Sequence, residues 1–286
     1  MIERIAILGT GLLGTSVGLA LKASGFKGTI LGWNRGAAGG QTALAMGAID
    51  QLVADPIEAA RQAQVTVLAT PIFSILDFME RLSTVLGPAQ MLTDVGSTKG
   101  KITAFGIKFY NQPGKAAFLP GHPMAGKERG GAELGDATLF QNAVWLFTDA
   151  PGAERSAEAA ELVQEWRALV LAMGSRMIDL DAARHDVLVA WVSHLPQFLS
   201  TALSALLEEQ VGAAPELKDV GGRALREMTR LGSSPFSMWR DIAHTNTEAV
   251  DHALQMLEQR LQHLRENLRT PGLRDEFECA NRFRKE

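Results

Sequence analysis

The chain has 286 residues, of which 46% are hydrophobic and 21% charged, and a net charge of −4. That length suggests about two domains, and the acidic balance argues against a nucleic-acid partner. One cysteine, Cys279, excludes an intrachain disulfide and fits a reducing compartment. No run approaches the ~18 uninterrupted apolar residues of a membrane span, and the first residues lack the layout of a signal peptide. A soluble, cytoplasmic protein with no membrane partner is therefore expected.

The first apolar run, Ile5-Ala6-Ile7-Leu8, leads into Gly9-Thr10-Gly11-Leu12-Leu13-Gly14, and a helical pattern begins inside that turn. A strand, a G-x-G-x-x-G turn and a helix in this order are the context of a dinucleotide-binding fingerprint. The first glycine permits the tight turn, the second lets backbone approach a pyrophosphate, and the third lets the helix pack on the strand. Gly9, Gly11, Leu12, Leu13 and Gly14 are candidate cofactor residues, with the helix N-terminus facing the phosphates. The other reading is a glycine-rich turn that binds nothing.

Strand-like runs at 3–8, 28–33, 65–69, 91–95, 116–119, 143–148 and 175–180 alternate with amphipathic stretches such as Ile72–Leu86 and Ala153–Met173. Such alternation predicts an α/β domain over 1–180, a Rossmann-type, mostly parallel sheet with helices on both faces. Its ligands would bind beyond the carboxyl ends of the strands. At the end of the second run, the place of an acidic residue that would hold the ribose of NAD is taken by Asn34, and Arg35 follows. An arginine there suits a 2′-phosphate, so NADP is expected, with NAD possible; a solvated loop cation is the bland alternative. Thr70 and Pro71, ending the third run, are placed near the nicotinamide. Ser97, after the fourth, is a helix N-cap, a hydroxyl aimed into the cleft, or both. His122 lies in Gly121-His122-Pro123-Met124-Ala125-Gly126, a turn whose glycines and proline are expected to exclude regular structure. A histidine held between Gly and Pro at a strand's carboxyl edge makes poor core filler.

After residue 180 the strand signals stop, and 181–286 reads as an all-helical domain. Asp181 to Gln210 reads as one helix, kinked at Pro196, with His194 just before the kink. Residues 216–230 form a second helical pattern. Ser233-Ser234-Pro235 reads as a helix start with serine at the cap. The helix that follows carries Val250, Leu254, Leu257, Leu261, Leu264 and Leu268, a seam of the kind used between helices. Pro271-Gly272 ends it, and a tail helix carries Leu273, Phe277 and Phe283. The seam suits an internal core, a subunit contact, or both, which predicts a homodimer. His244, His252 and His263 fall among charged residues of the long helix and read as solvated. No Cys/His spacing points to a metal.

Taken together, these motifs resemble the prephenate/arogenate dehydrogenase family of tyrosine biosynthesis over nearly the whole chain. The resemblance rests on the Gly9–Gly14 turn, Asp94-Val95-Gly96-Ser97-Thr98-Lys99, Gly121-His122-Pro123-Met124-Ala125-Gly126, His185-Asp186, Ser193-His194-Leu195-Pro196, Thr229-Arg230-Leu231 and Met238-Trp239-Arg240-Asp241-Ile242. It implies oxidation of a cyclohexadienol: hydride goes to a nicotinamide, carbon dioxide leaves, and the ring becomes aromatic. It further implies that His122 takes the ring hydroxyl's proton, that Ser97 helps hold that hydroxyl, and that Arg230 binds a substrate carboxylate. His194 would line the pocket, and Glu128 and Trp239 would lie near it. Arg230, Trp239 and Arg240 also admit plain structural roles, as a helix-end cation, a packed ring and a surface ion pair.

Prephenate is the expected substrate and arogenate the alternative. The Asn34-Arg35 pair leans to an arogenate-type enzyme, while Met238-Trp239-Arg240-Asp241 looks more like prephenate-type members. A β-hydroxyacid dehydrogenase would want a catalytic lysine where Ser193-His194-Leu195-Pro196 stands. A non-catalytic NADP(H) sensor would have no need of His122, Ser97 and Arg230 together.

Overall fold

The computed structural model describes residues 1–285. Strands β1 (Arg4–Leu8), β2 (Thr29–Trp33), β3 (Gln51–Leu52), β4 (Val65–Leu68), β5 (Met91–Asp94) and β6 (Ala117–Leu119) form one parallel sheet, ordered β3-β2-β1-β4-β5-β6. The order reverses between β1 and β4, which opens a crevice at their carboxyl ends. A second sheet holds β7 (Gly121–Pro123), β8 (Val144–Phe147) and β9 (Arg176–Asp179). In it β7 runs antiparallel to β8, and β9 runs parallel to it.

All seven strands expected from the sequence are present, but in two sheets rather than one. Two strands escaped the sequence pattern. β3 is two residues long, too short to show a period. β7 holds His122, so the expectation that Gly121 and Pro123 exclude regular structure is corrected: His122 pairs with Leu146. Pro123 closes this short edge strand, where its missing N–H is tolerated.

The parallel strands read as continuous apolar runs because both of their faces are covered. Ile5, Ile7, Val65 and Val67 pack on one side with Trp145, Trp166, Phe140 and Phe147. Ala6, Leu8 and Leu68 pack on the other with Ile75, Met79 and Phe118. Each large side chain buried this way contributes about 1.5–3 kcal/mol.

From Ala182 the chain is helical. Ala182–Val211 is one continuous helix whose start is capped by Asp181, which accepts from the Arg184 N–H at 2.8 Å. Just before Pro196, residues Ala190–His194 widen into a π turn. Such turns interrupt the regular ladder and concentrate at functional sites. By length and composition this helix would pass for a membrane span. His185, Asp186 and His194 on it nevertheless pack into the protein as a polar cluster.

Three expectations for this region are revised. The pattern at 216–230 is broken into Leu217–Val220, Arg223–Thr229 and a 3-10 turn, Arg230–Ser233. The next helix, Phe236–Thr245, has Pro235 at its N-cap and no side-chain cap; Ser234 Oγ instead donates to Gln197 Oε1 at 3.0 Å. The long helix does not run on from there. Asn246 breaks it, Thr247–Glu266 follows, and His244 therefore sits on the shorter helix.

Val250 is buried at the start of the leucine seam, whereas Leu261 and Leu268 are 51% and 64% exposed. Within one protomer the far half of the seam is open. The tail helix Gly272–Lys285 is tied to the long helix by Arg260 Nη1–Glu276 Oε1 at 2.6 Å.

Candidate active site

The turn after β1 is built as a cradle. Gly9 has φ 105°, and a Cβ there would lie 2.6 Å from the Ala69 carbonyl oxygen. A Cβ on Gly14 would strike the Gly9 carbonyl oxygen. Gly11 faces open space and forms the N-cap of Leu12–Ala23 with no side chain closing that helix end. The free N–H groups and the positive end of the helix dipole are thus available to a phosphate. Leu12, the first residue of that helix, is buried, and Leu13 is half-buried and packs against the core. Thr10 Oγ1 and Thr70 Oγ1 are buried beside the cradle without a hydrogen-bond partner among the described residues. Pro71 caps the next helix, Ile72–Leu82. These residues fit a dinucleotide.

At the end of β2 the two candidates differ. Asn34 is occupied by its own loop, donating from Nδ2 to the Gly36 carbonyl at 2.9 Å. Arg35 is exposed and, among the described residues, has no ion-pair partner.

The crevice continues past β5, where Asp94 and Lys99 form a fully buried ion pair through Oδ2 and Nζ. Asp94 also accepts from Gly96 N at 2.7 Å and Gly121 N at 3.1 Å, which fixes β7 against the end of β5. His122, next along β7, is buried. Its Nδ1 lies 2.9 Å from His185 Nε2, and His185 Nδ1 lies 2.8 Å from Asp186 Oδ1. Burial above all, then the neighbouring His185, Lys99 and His194, hold the His122 pKa well below the usual imidazole value. His185 is also lowered, chiefly by burial, with Asp186 opposing. Burial pushes His194 down to about 4. All three rings are neutral at physiological pH.

His194 sits on the π turn. Its Nδ1 lies 3.3 Å from Asn246 Nδ2, an amide donor, so its proton resides on Nε2. That Nε2 is buried with no partner among the described residues, as is Trp239 Nε1. The two rings meet edge to face at 5.8 Å. Two donors left unpaired on adjoining rings mark a place where a ligand's oxygens would be welcome.

Ser97 is half-buried and does not cap the following helix. The carboxylate of Asp186 does so instead, accepting from Lys99 N at 2.7 Å and Gly100 N at 2.8 Å. The N-cap reading of Ser97 is therefore overturned, and its hydroxyl makes no hydrogen bond among the described residues. Arg230, expected as a free grip for a carboxylate, is paired with Glu128 on the loop after β7. Its side chain is 60% exposed.

The structure thus groups His122, His194 and Trp239, and separately pairs Glu128 with Arg230. Sequence reasoning gave no role to Asp94, Lys99, His185, Asp186 or Asn246. The signal for Asp186 was present as a His-Asp step in the first turns of a helix. Asp94, Lys99 and His185 stand inside motifs the sequence displayed, but their pairings with each other and with His122 did not show there, and Asn246 meets its partners from about 50–60 residues away.

Two family models cover most of the chain: the prephenate dehydrogenase nucleotide-binding domain matches residues 17–172, and the prephenate dehydrogenase dimerization domain matches 181–279. A prephenate dehydrogenase of Lactococcus lactis subsp. cremoris is 30% identical over 92% of this chain and 70% of its own length. The crystal structure of a prephenate dehydrogenase from A. aeolicus, in complex with hydroxyphenyl propionate and NAD+, is 27% identical. It superposes with a TM-score of 0.83 over 100% of this chain and 96% of the other. The arogenate dehydrogenase of Synechocystis is 26% identical, with a TM-score of 0.77 over 99% of both chains. A dinucleotide cradle, a buried neutral histidine at its carboxyl edge and both domain matches lead to one conclusion: the chain belongs to the prephenate dehydrogenase family.

Proposed function

We propose that the protein oxidatively decarboxylates prephenate to 4-hydroxyphenylpyruvate, with NADP as the preferred hydride acceptor and NAD as the alternative. The observation that carries this reading is His122, a neutral imidazole buried where β7 meets the carboxyl end of β5. His122 accepts the proton of the ring hydroxyl, which releases electron density for the carbon–hydrogen bond to break. The bound nicotinamide supplies the acceptor for the departing hydride. Loss of carbon dioxide from the ring carboxylate leaves its electron pair in the ring, and aromatisation drives the step without a metal.

Ser97, half-buried at the same strand end, holds the hydroxyl. The unpaired Nε2–H of His194 and Nε1–H of Trp239 bind substrate oxygens. Arg230 grips a carboxylate, which must displace or share the guanidinium with Glu128. Gly9, Gly11, Gly14, Thr70 and Pro71 bind the dinucleotide, and the unpaired Arg35 meets the 2′-phosphate.

The chain divides near residue 180 into a dinucleotide domain and a helical domain. Two copies join through the open seam of Leu261 and Leu268 into a homodimer, consistent with the description of the second family model. A cytoplasmic biosynthetic enzyme is the matching setting. Arogenate is the second reading, favoured by Arg35 and by the likeness to the Synechocystis enzyme. Following reduced nicotinamide by absorbance, with prephenate and arogenate each crossed with NAD and NADP, tests the proposal. Turnover of prephenate, fastest with NADP, is expected; silence in all four mixtures overturns it.

A further inference from the structure

We infer that His185, held by Asp186, dictates which nitrogen of His122 carries the proton and so leaves His122 Nε2 as the proton acceptor. The chain of contacts is Asp186 Oδ1 to His185 Nδ1 at 2.8 Å and His185 Nε2 to His122 Nδ1 at 2.9 Å. Its polarity can be read from the anchored end. The Asp186 carboxylate already accepts two backbone N–H groups, from Lys99 and Gly100. Toward His185 it is again an acceptor, so His185 Nδ1 must donate.

A neutral imidazole has one N–H and one lone pair. With its proton on Nδ1, His185 presents a lone pair at Nε2. His122 Nδ1 must then be the donor, and its own lone pair falls on Nε2. That nitrogen makes no hydrogen bond among the described residues, whereas Nδ1 is engaged. Burial keeps both rings neutral, so each has one N–H and one lone pair. The rings meet at 61° with centroids 5.1 Å apart, an edge approach that suits a nitrogen-to-nitrogen hydrogen bond rather than stacking.

The tautomer matters because a free imidazole favours the proton on Nε2, the wrong nitrogen for a base acting there. Removing the orienting partner of a histidine base leaves geometry intact but populates the wrong tautomer, which elsewhere costs orders of magnitude in turnover. His185 is therefore a positioning residue. It acts across the boundary between regions, since His122 lies on β7 and His185 on the first turns of the helix that begins at Ala182. Once the hydroxyl proton has moved to Nε2, His122 still donates through Nδ1 to His185, and the new charge is shared with an acceptor that Asp186 polarises. This inference rests on the dehydrogenase reading for its catalytic consequence, but not for the tautomer itself.

The test is nitrogen NMR of the full chain labelled with 15N-histidine at neutral pH, with the His122 signals assigned by their loss in His122→Asn. A neutral ring protonated on Nδ1 is expected, and a ring protonated on Nε2 overturns the inference even if no His185 variant folds. His185→Leu is expected to move the proton to Nε2 and to lower kcat by about 10²-fold with nucleotide affinity unchanged. His185→Gln, whose amide oxygen can stand where Nε2 stood, should keep the tautomer and most of kcat. A His185→Leu protein that retains both the tautomer and its turnover overturns the inference. An Nδ1-protonated ring in a protein that turns over no cyclohexadienol would instead sink the proposed function and leave the tautomer assignment standing.

Discussion

Replacing Lys99 by methionine removes one half of an ion pair in which neither side chain has any exposure. The aliphatic stem is kept, so the packing loss is small and the electrostatic loss dominates. Asp94 retains Gly96 N and Gly121 N as donors but loses its counter-charge. Breaking a buried pair from one side typically costs about 3–5 kcal/mol, because a charge is left without compensation. For a chain of this size that lowers the melting temperature on the order of 10 °C. Lys99→Met should therefore show a clear loss in urea or thermal unfolding at neutral pH. The double change Asp94→Asn with Lys99→Met should recover part of it, since that pair no longer leaves a buried charge, but not all, because the amide oxygen can accept from only one of Gly96 N and Gly121 N. The ammonium of Lys99 also helps to depress His122. In the single variant the acid limb of kcat/KM should move to higher pH. Unfolding within about 1 kcal/mol of the parent chain, outside the 3–5 kcal/mol range, would refute the buried-pair argument.

His122→Asn should reduce kcat by about 10²–10⁴-fold with nucleotide affinity nearly unchanged, and near-normal turnover in a stopped assay would remove His122 from the mechanism. Arg35→Ala should weaken NADP and leave NAD alone by titration calorimetry; equal losses would sink the 2′-phosphate contact. Stability should fall as pH drops from the ordinary histidine value of 6.5 toward about 4, where His194 titrates in the folded chain. In that window the unfolded chain binds a proton that the folded one refuses, so the slope is positive with pH, about 1.4 kcal/mol per unit for each such histidine. Denaturation midpoints that stay flat across the window would contradict the buried, neutral state of these rings.

The sequence made the parallel sheet legible because strands buried on both faces read as unbroken apolar runs, as Ile5–Leu8 and Val65–Leu68 do. The glycine turn was legible for a related reason: Gly9 and Gly14 sit where any side chain would collide with backbone. β7 was not legible, since Gly121, His122 and Pro123 have poor strand preference and are held by Leu146 and Asp94 from outside the segment. Tertiary context overrode local preference there. The Asn246 break was hidden by the pattern around it. Thr245, Asn246 and Thr247 are weak helix formers, but the apolar period that runs on through Val250 and Leu254 masked them, and in the fold the Asn246 side chain donates to the Asp186 carbonyl at 2.8 Å where the helix stops. Ser97 looked like a cap because its type and place were right, yet a carboxylate from another helix reached the same N–H groups first.

That carboxylate makes the two regions less modular than their sequences suggest. The helix Gly100–Phe109 belongs to the nucleotide-binding part, but its first free amides are satisfied only by Asp186. Thr98 likewise bonds Thr245 at 2.7 Å, and the Phe73 amide reaches Asp241. A chain cut after residue 180 would keep every strand and lose the ends of two of its helices, Ile72–Leu82 and Gly100–Phe109, at the rim of the crevice. Grafting the first half onto a foreign helical partner would meet the same obstacle, for the recipient would have to place an acceptor where Asp186 now stands. Recombination between relatives should then succeed only when the helix starting at Ala182 travels with the sheet, so that the natural seam for exchange lies beyond Asp186 rather than at the point where the strands end.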